Sequence, residues 1–183
     1  MCRYALTRCA LFIVLSLWSG ARGDVIPIEP FLGALAENFD SMKGGTGGMQ
    51  EISIMDGFAT VRNISQQGAL KVEFSSKLDG LLVVPHSRPL MMGQICISEW
   101  EFDKPLSQFG SYFANNSRFD DAQLDFYDEK GELIDSVTAT VPNSGDWTWN
   151  GWESDVPIKR IVITGNDEGF FNGFIWFDDV QVN

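Results

Sequence analysis

The stretch Gly169-Phe-Phe-Asn-Gly-Phe-Ile-Trp-Phe-Asp-Asp-Val-Gln-Val182 decides the fold. In an extended strand, side chains alternate between two sides, here Phe174, Trp176, Asp178 and Val180 against Ile175, Phe177, Asp179 and Gln181. Both sides are apolar as far as Phe177, so we expect this strand to be covered on both faces, inside a sandwich. Two carboxylates then follow. A buried aspartate pair costs on the order of several kcal/mol unless a cation or several donors satisfy it, which points to a metal rather than to catalysis.

The rest of the chain consists of short runs with strand chemistry, separated by turns. Asp56-Gly57 and Asp79-Gly80 are typical of hairpins, because glycine adopts positive φ at no steric cost. We expect strands over 50–55, 58–63, 70–75, 80–84, 94–102, 106–114, 122–128, 132–141, 147–152 and 159–164. No segment shows a convincing helical pattern or an internal repeat. The sequence therefore predicts an all-β protein, a single antiparallel β-sandwich of jelly-roll type over residues 24–183.

Residues 1–23 have the pattern of a secretory signal peptide. Arg3 and Arg8 give a basic start, and the apolar run over 10–18 is too short to span a bilayer. The small residues Ala21 and Gly23 suit a signal peptidase. We expect cleavage after Gly23 and a secreted protein, extracellular or periplasmic, with no membrane span left. The alternative is that the segment stays as a membrane anchor.

Charge and cysteine content limit the possible partners. The chain carries a net charge of −12, and without the three arginines of the signal segment 10 basic residues face 25 acidic ones, which gives −15. Such a surface repels nucleic acid and anionic lipid and suits calcium, neutral sugars or a basic partner. Only Cys96 remains after cleavage, so no internal disulfide is possible, and we expect this side chain to be buried.

Four motifs in a fixed order carry a resemblance to a known class of protein. They are the segments Phe102-Asp-Lys-Pro-Leu-Ser-Gln-Phe-Gly110, Ala122-Gln-Leu-Asp-Phe-Tyr-Asp-Glu-Lys-Gly-Glu-Leu133, Gly151-Trp-Glu-Ser-Asp-Val-Pro-Ile158 and Phe177-Asp-Asp-Val180. Together they resemble the β-sandwich domain of secreted bacterial exoproteins, many of which carry a PEP-type C-terminal sorting tail. This sequence stops at Asn183 without such a tail, so release is expected rather than surface anchoring.

The two ends of the chain also resemble, more distantly, galactose-binding-like jelly rolls among carbohydrate-binding modules. The resemblance implies a structural calcium ion, held by an acidic residue on an early strand and by a final Asp-Asp-Val pattern. The matching residues are Asp40 and Asp179, and Asp178 is the third carboxylate of the candidate set. Calcium takes six to eight oxygen ligands at about 2.3–2.6 Å, and carbonyl groups of the glycine-rich loop 41–48 would complete the set. The alternative is that these carboxylates face water or cap turns.

Tryptophan spacing indicates a candidate sugar platform. Trp147 and Trp149 would project from one face of a strand, and sugar rings stack on aromatic faces while polar side chains reach their hydroxyl groups. Tyr112, Asn115 and Asn116 form a second candidate platform at a loop rim. The alternative is that the tryptophan stripe faces the core.

The sequence does not favour catalysis. Glycoside hydrolysis needs a carboxylic acid with a raised pKa and a second carboxylate about 5–9.5 Å away. Glu99, Glu101 and Asp103 alternate on a strand, but a solvated edge explains them better, and the single histidine, His86, makes a Ser-His-Asp triad improbable. We therefore expect a non-catalytic module that binds carbohydrate or another extracellular surface. The alternatives are a structural or adhesive exoprotein with protein partners and no sugar site, and then a glycoside hydrolase.

Overall fold

The polypeptide is built almost entirely from β-strands. The computed structural model describes residues 23–78, 80–87, 89–117, 121–165 and 173–183. The strands are β1 Val25–Pro27, β2 Leu35–Glu37, β3 Thr46–Met49, β4 Glu51–Ile54, β5 Ala59–Asn63, β6 Ala69–Glu73, β7 Ser76–Leu78, β8 Leu81–Val83, β9 Met91–Ile95, β10 Ile97–Asn115, β11 Ala122–Tyr127, β12 Leu133–Ala139, β13 Thr148–Gly165 and β14 Phe174–Val182. A 3₁₀ turn, Met55–Gly57, joins β4 to β5. The predicted signal peptide lies outside the described residues, apart from Gly23. Within the described ranges, no helix reaches the length and apolarity that a membrane crossing demands.

Twelve strands belong to one hydrogen-bonded sheet that folds over into two layers. Layer A contains, in order, β4, β5, the first part of β10, the second part of β13, β11 and β12. Layer B contains β1, the first part of β13, the second part of β10, β14, β9, β6 and β3, with β2 beside the end of β14. All of these pairings are antiparallel. The hairpin of β7 and β8 is separate and, through Val83, packs on the outer face of layer B.

The long strands β10 and β13 pass from one layer to the other. The register between them shifts twice in the part of β10 that contains Pro105, and Pro157 lies in the facing part of β13. Proline lacks the N–H group that a regular ladder needs, so it is accommodated where a strand bends to change layers. The prediction of a separate strand on each side of these prolines is therefore wrong. The backbone continues through each proline and forms a corner of the sandwich.

Aromatic side chains of the two layers meet in the core. The ring of Trp100, in layer A, lies 5.7 Å from that of Phe109 and 5.1 Å from that of Phe177, both in layer B. Phe126, also in layer A, lies 5.7 Å from Trp152. Aromatic pairs at such distances contribute roughly 0.5–1.5 kcal/mol beyond the burial of their area. The predicted all-β antiparallel sandwich is confirmed, and Trp152 packs in its core.

The final strand contains a β-bulge at the aspartate pair. Gly110 of β10 lies opposite Gln181, whereas Tyr112 lies opposite Asp178, so β14 has one extra residue between these two points. The extra residue bends the backbone, and Asp179 has a φ of 50°. A bulge of this kind shifts the alternation of side chains by one residue and re-aims those that follow.

The bulge changes which residues of β14 face the core. Ile175 and Phe177 point inward, and after the bulge Val180 and Val182 point inward as well. Simple alternation placed Val180 on the opposite side from Phe177, and this expectation is wrong. The bulge leaves Asp178 on the outer face of layer B, where it is nonetheless fully buried.

Candidate functional site: an aromatic row on the outer face of layer B

Alternation along β10 and β13 directs a set of rings away from the core. Phe109, Phe113 and Trp152 face inward, so Tyr112 and Trp149, which are paired across the two strands, face outward. Trp147 lies on the same outer side, where it packs against the small apolar cluster around Trp176. The prediction that Trp147 and Trp149 share one face is confirmed. Both side chains are partly exposed.

Two glycines make room for Trp149 against the sheet. A Cβ atom on Gly110 would lie 2.5 Å from the indole of Trp149, and one on Gly151 would lie 2.7 Å from it. Any larger residue at either position would have to displace the ring. The indole therefore lies across the sheet surface, supported from beneath by the backbone of both strands.

Four rings follow one another across this face. Tyr112 and Trp149 have centroids 5.3 Å apart, His86 stacks on Tyr112 at 3.7 Å with an interplanar angle of 17°, and Trp147 meets His86 edge-on at 6.1 Å. We call Trp149, Tyr112, His86 and Trp147 the aromatic row. The ring of Phe31 meets the far end of the row, 5.8 Å from Trp149.

Hydrogen bonds fix both indoles in place. Trp147 donates its Nε1–H to the carbonyl of Val84 at 2.7 Å, and Trp149 donates its Nε1–H to the carbonyl of Ile28 at 3.1 Å. Both donors are thereby satisfied within the protein, so the exposed parts of the two indoles offer a ligand apolar contact. The row is held in one arrangement before any ligand arrives, and such preorganisation lowers the entropic cost of binding.

The predicted metal residues Asp178 and Asp179 tie loop 84–90 to the end of layer B. Ser87 donates its backbone N–H to Asp178 at 2.9 Å and its hydroxyl to Asp179 at 2.6 Å. His86 Nδ1 lies 2.7 Å from Asp179 Oδ2. Burial and the adjacent charge of Asp179 raise the pKa of Asp178 to about 7, against the opposing effect of the N–H groups that it accepts. The pair therefore positions His86 within the aromatic row.

Asp40, the third predicted metal residue, contacts a different part of the same loop. Its Oδ1 accepts the N–H of Leu90 at 3.2 Å, and its Oδ2 accepts the side-chain amide of Asn38 at 3.2 Å. Within the described part of the chain, no three side chains of the types His, Cys, Asp and Glu converge as metal ligands. Protein donors contact the carboxylate oxygens of all three aspartates in this arrangement, so a calcium ion would have to displace them to gain its six to eight oxygen ligands. The early strand β2, which ends shortly before Asp40, pairs with the last strand, β14.

The second predicted platform is only partly at the surface. Tyr112 belongs to the aromatic row, but Asn115 and Asn116 are both fully buried. Asn116 accepts the Nε1–H of Trp176 at 3.0 Å, and Asn115 accepts the backbone N–H of Ser117 at 2.6 Å. The expectation that these asparagines line a solvent-facing rim is therefore corrected. Asn116 also donates its side-chain amide to the hydroxyl of Ser76 at 3.1 Å, which ties the end of β10 to the β7–β8 hairpin.

The carboxylates of layer A do not form a catalytic pair. Arg62 contacts Glu101 at 2.6 Å, and Arg160 contacts Glu99 at 3.0 Å. The hydrogen bond from Arg62 lowers the pKa of Glu101, whereas a general acid needs a raised one. Asp103 is exposed. These ion pairs form a charged ladder on the outer face of layer A. The ladder lies in the middle of the layer and not at the solvated edge that the sequence indicated, because β10 pairs with β5 on one side and with β13 on the other.

His86 and Ser87 are the two members of the site that the sequence did not indicate. Both lie in a loop bracketed by Pro85 and Pro89, which looked like an ordinary connection. The available signal was the placement of the chain's only histidine between two prolines, which restrict the backbone on each side. The two side chains do not form a triad, because the hydroxyl of Ser87 contacts carboxylates and not the imidazole.

Comparison with known sequences gives no family. No protein-family profile matches the chain, and no curated protein matches it either. The fold, by contrast, is shared with several solved structures.

The K2 cleaved adhesin domain of Lys-gingipain has a TM-score of 0.53 at 12% identity, over 81% of this chain and 98% of that domain. An arabinose-bound α-L-arabinofuranosidase (MgGH51) has a TM-score of 0.51 at 13% identity, over 82% of this chain and 27% of the enzyme. TmCBM61 in complex with β-1,4-galactotriose has a TM-score of 0.46 at 12% identity, over 80% of this chain and 94% of that module. At these identities, the likeness to the adhesin domain and to the arabinofuranosidase is one of fold alone.

Proposed function

We propose that this protein is a secreted, non-catalytic module that binds carbohydrate through the aromatic row. The observation that carries the proposal is a set of four partly exposed rings, Trp149, Tyr112, His86 and Trp147, fixed side by side on one outer face. Apolar faces of sugar rings stack on such surfaces. The shared sandwich fold permits this role but does not specify it, since one fold serves many functions.

The polar surroundings of the row suit a sugar better than a purely apolar ligand. Carbohydrate recognition needs hydrogen-bonding groups beside the aromatic faces, and His86, Ser87 and Asp179 lie at the centre of the row. The paired carboxylates of layer A lie on the other outer face and are neutralised by arginines. We infer a binding site on layer B with no hydrolytic centre on layer A.

The test is retention on a panel of insoluble polysaccharides and immobilised glycans. Wild-type protein is compared with a Trp147→Ala, Trp149→Ala double variant, and circular dichroism verifies that both are folded. We expect retention on at least one uncharged glycan and a loss of at least about tenfold in the variant, because the stacking surface is removed. Retention that survives the double substitution would show that the sugar binds elsewhere. If the folded wild-type protein is retained on none of the glycans, the proposed carbohydrate binding is ruled out for the ligands tested.

A second candidate function is adhesion to a protein. Phe74, Leu82 and Val84 are 60%, 53% and 44% exposed, and Phe74 and Val84 line a surface pocket with Pro85 and Pro89. Exposed apolar groups that cluster in this way often mark interaction sites. In the same retention assay, this function predicts no glycan binding, and substitution of Phe74 by Ser would abolish attachment to a protein-coated surface.

Calcium binding by Asp40, Asp178 and Asp179 stays a prediction. We propose that calcium binds these three carboxylates by displacing the protein donors that now contact them, such as Ser87 and Leu90, and that it raises the melting temperature. Thermal unfolding in calcium and in EDTA, with an Asp178→Asn, Asp179→Asn double variant as control, measures this directly. A melting temperature that is the same in both buffers would leave the carboxylates as hydrogen-bond acceptors alone.

A further inference from the structure

The centre of the aromatic row is a polar side chain. His86 stacks on Tyr112, and 35% of its side chain is exposed. The indole N–H groups of Trp147 and Trp149 on either side are used internally, by Val84 and Ile28. The two tryptophans therefore offer no hydrogen bond to a ligand that lies along the row. The imidazole of His86, between them, can offer one.

Asp179 determines which nitrogen of His86 faces a ligand. A carboxylate only accepts hydrogen bonds, so the 2.7 Å contact places the hydrogen of a neutral imidazole on Nδ1. The other nitrogen, Nε2, is then an acceptor. Among the described residues, no group hydrogen-bonds Nε2. Asp179 is held in turn by the hydroxyl of Ser87 at 2.6 Å, so the orientation of the ring is fixed from beneath.

The charge around the row selects against acidic ligands. Asp179 lies directly behind His86, Asp178 lies beside it, and the chain as a whole carries a net charge of −12. A carboxylate or sulfate group brought to this face would meet like charges close by, and such juxtaposition costs affinity. An uncharged sugar, whose hydroxyl groups donate hydrogen bonds, meets no such penalty.

We propose that His86 Nε2 accepts a hydroxyl hydrogen from an uncharged sugar that stacks on the aromatic row, with Asp179 as the positioning residue. This rests on the proposed function and names its polar contact and its ligand class. A hydrogen bond in a partly exposed site contributes roughly a tenfold change in affinity. Loss of the imidazole removes both this hydrogen bond and one stacked ring.

The single histidine allows a direct test on unmodified protein. The ¹⁵N NMR spectrum of tag-free protein contains one imidazole, that of His86. The probes are cellohexaose, xylohexaose and β-1,4-galactotriose as uncharged sugars, with a galacturonate hexamer as the anionic counterpart. Tryptophan fluorescence and calorimetry report binding independently. We expect the Nε2 signal to shift on saturation with a bound neutral sugar, and His86→Ala to bind it at least about tenfold more weakly at an unchanged fold.

The outcomes separate this inference from the proposed function. If a neutral sugar binds and the tryptophan variants lose it, while Nε2 does not move and His86→Ala binds like the wild type, the role of His86 is overturned and the proposed function stands. Equal binding of the galacturonate hexamer overturns the ligand class. If no probe binds, both proposals fail for these sugars.

Discussion

At the scale of single residues, Asp178 shows how one buried charge organises the site. It is fully buried on the outer face of layer B, and it accepts the N–H groups of Ser87 and Asp179. The bond from Ser87 holds its loop against the sheet and so brings His86 to Tyr112, whereas the bond from Asp179 lies within β14. The sequence indicated that the aspartate pair mattered. It did not indicate that the partners would be a serine and a histidine, because a contact across about 90 residues leaves no local pattern.

Stability should fall with rising pH because of Asp178. Its pKa is raised to about 7, so the folded state holds the proton more tightly than the unfolded state does. Its contribution to stability is therefore fully present below about pH 4 and is lost as the pH rises towards 7, at up to about 1.4 kcal/mol per pH unit. Thermal unfolding in EDTA should show a flatter pH dependence for Asp178→Asn than for the wild type between pH 5 and 8. An equal pH dependence of stability in the variant and the wild type would mean that a group other than Asp178 causes the loss of stability.

At the scale of elements, the sequence predicted which segments form strands and which sides of them are buried. It did not predict that β10 and β13 continue through their prolines. Alternating apolar residues predicted the buried and solvent-facing sides of β11, where Leu124 and Phe126 are buried and Gln123 is exposed. The prolines of β10 and β13 looked like strand ends, since a flat sheet does not accept them. They are accommodated because both strands bend there to change layers, and this bend follows from the packing of whole layers. The bulge in β14 likewise has no local sequence signal.

Because of the bulge, substitutions at two neighbouring residues of β14 should differ in how much they destabilise the protein. Val180 faces the core and is fully buried, so Val180→Ala should cost about 1–3 kcal/mol of unfolding free energy. Gln181 is partly exposed and its side chain accepts the N–H of Gly33 at 2.9 Å, so Gln181→Ala should cost about 1 kcal/mol or less. Urea denaturation of the two variants measures the difference. A larger cost at Gln181 would mean that β14 alternates without a bulge.

At the scale of the whole molecule, the two long strands make the sandwich one unit. β10 and β13 each contribute to both layers, and the pairing between them continues around the corner. Neither layer can therefore lose its strands while the other keeps its own. The all-β class and the antiparallel sandwich were predictable from strand periodicity and turn residues. The placement of the aromatic row on layer B depends on how both layers assemble, so its tryptophans and Tyr112 could be named beforehand, but not that they form one row with His86.

Unfolding should accordingly be a single transition. Guanidinium titrations followed by tryptophan fluorescence, which reports both the core and the row, and by far-ultraviolet circular dichroism should give coincident midpoints. Separate midpoints would indicate that the layers unfold independently, contrary to the shared strands.

The most direct measurement compares glycan retention by Tyr112→Ala and Tyr127→Ala. Both tyrosines are partly exposed, but Tyr112 lies in the aromatic row of layer B, whereas Tyr127 packs on Arg160, 3.8 Å from its ring centre, on the outer face of layer A. We predict that Tyr112→Ala reduces retention on an uncharged glycan by at least about tenfold, and that Tyr127→Ala leaves it unchanged. Equal retention by both variants, or a loss confined to Tyr127→Ala, would contradict a binding site on the aromatic row.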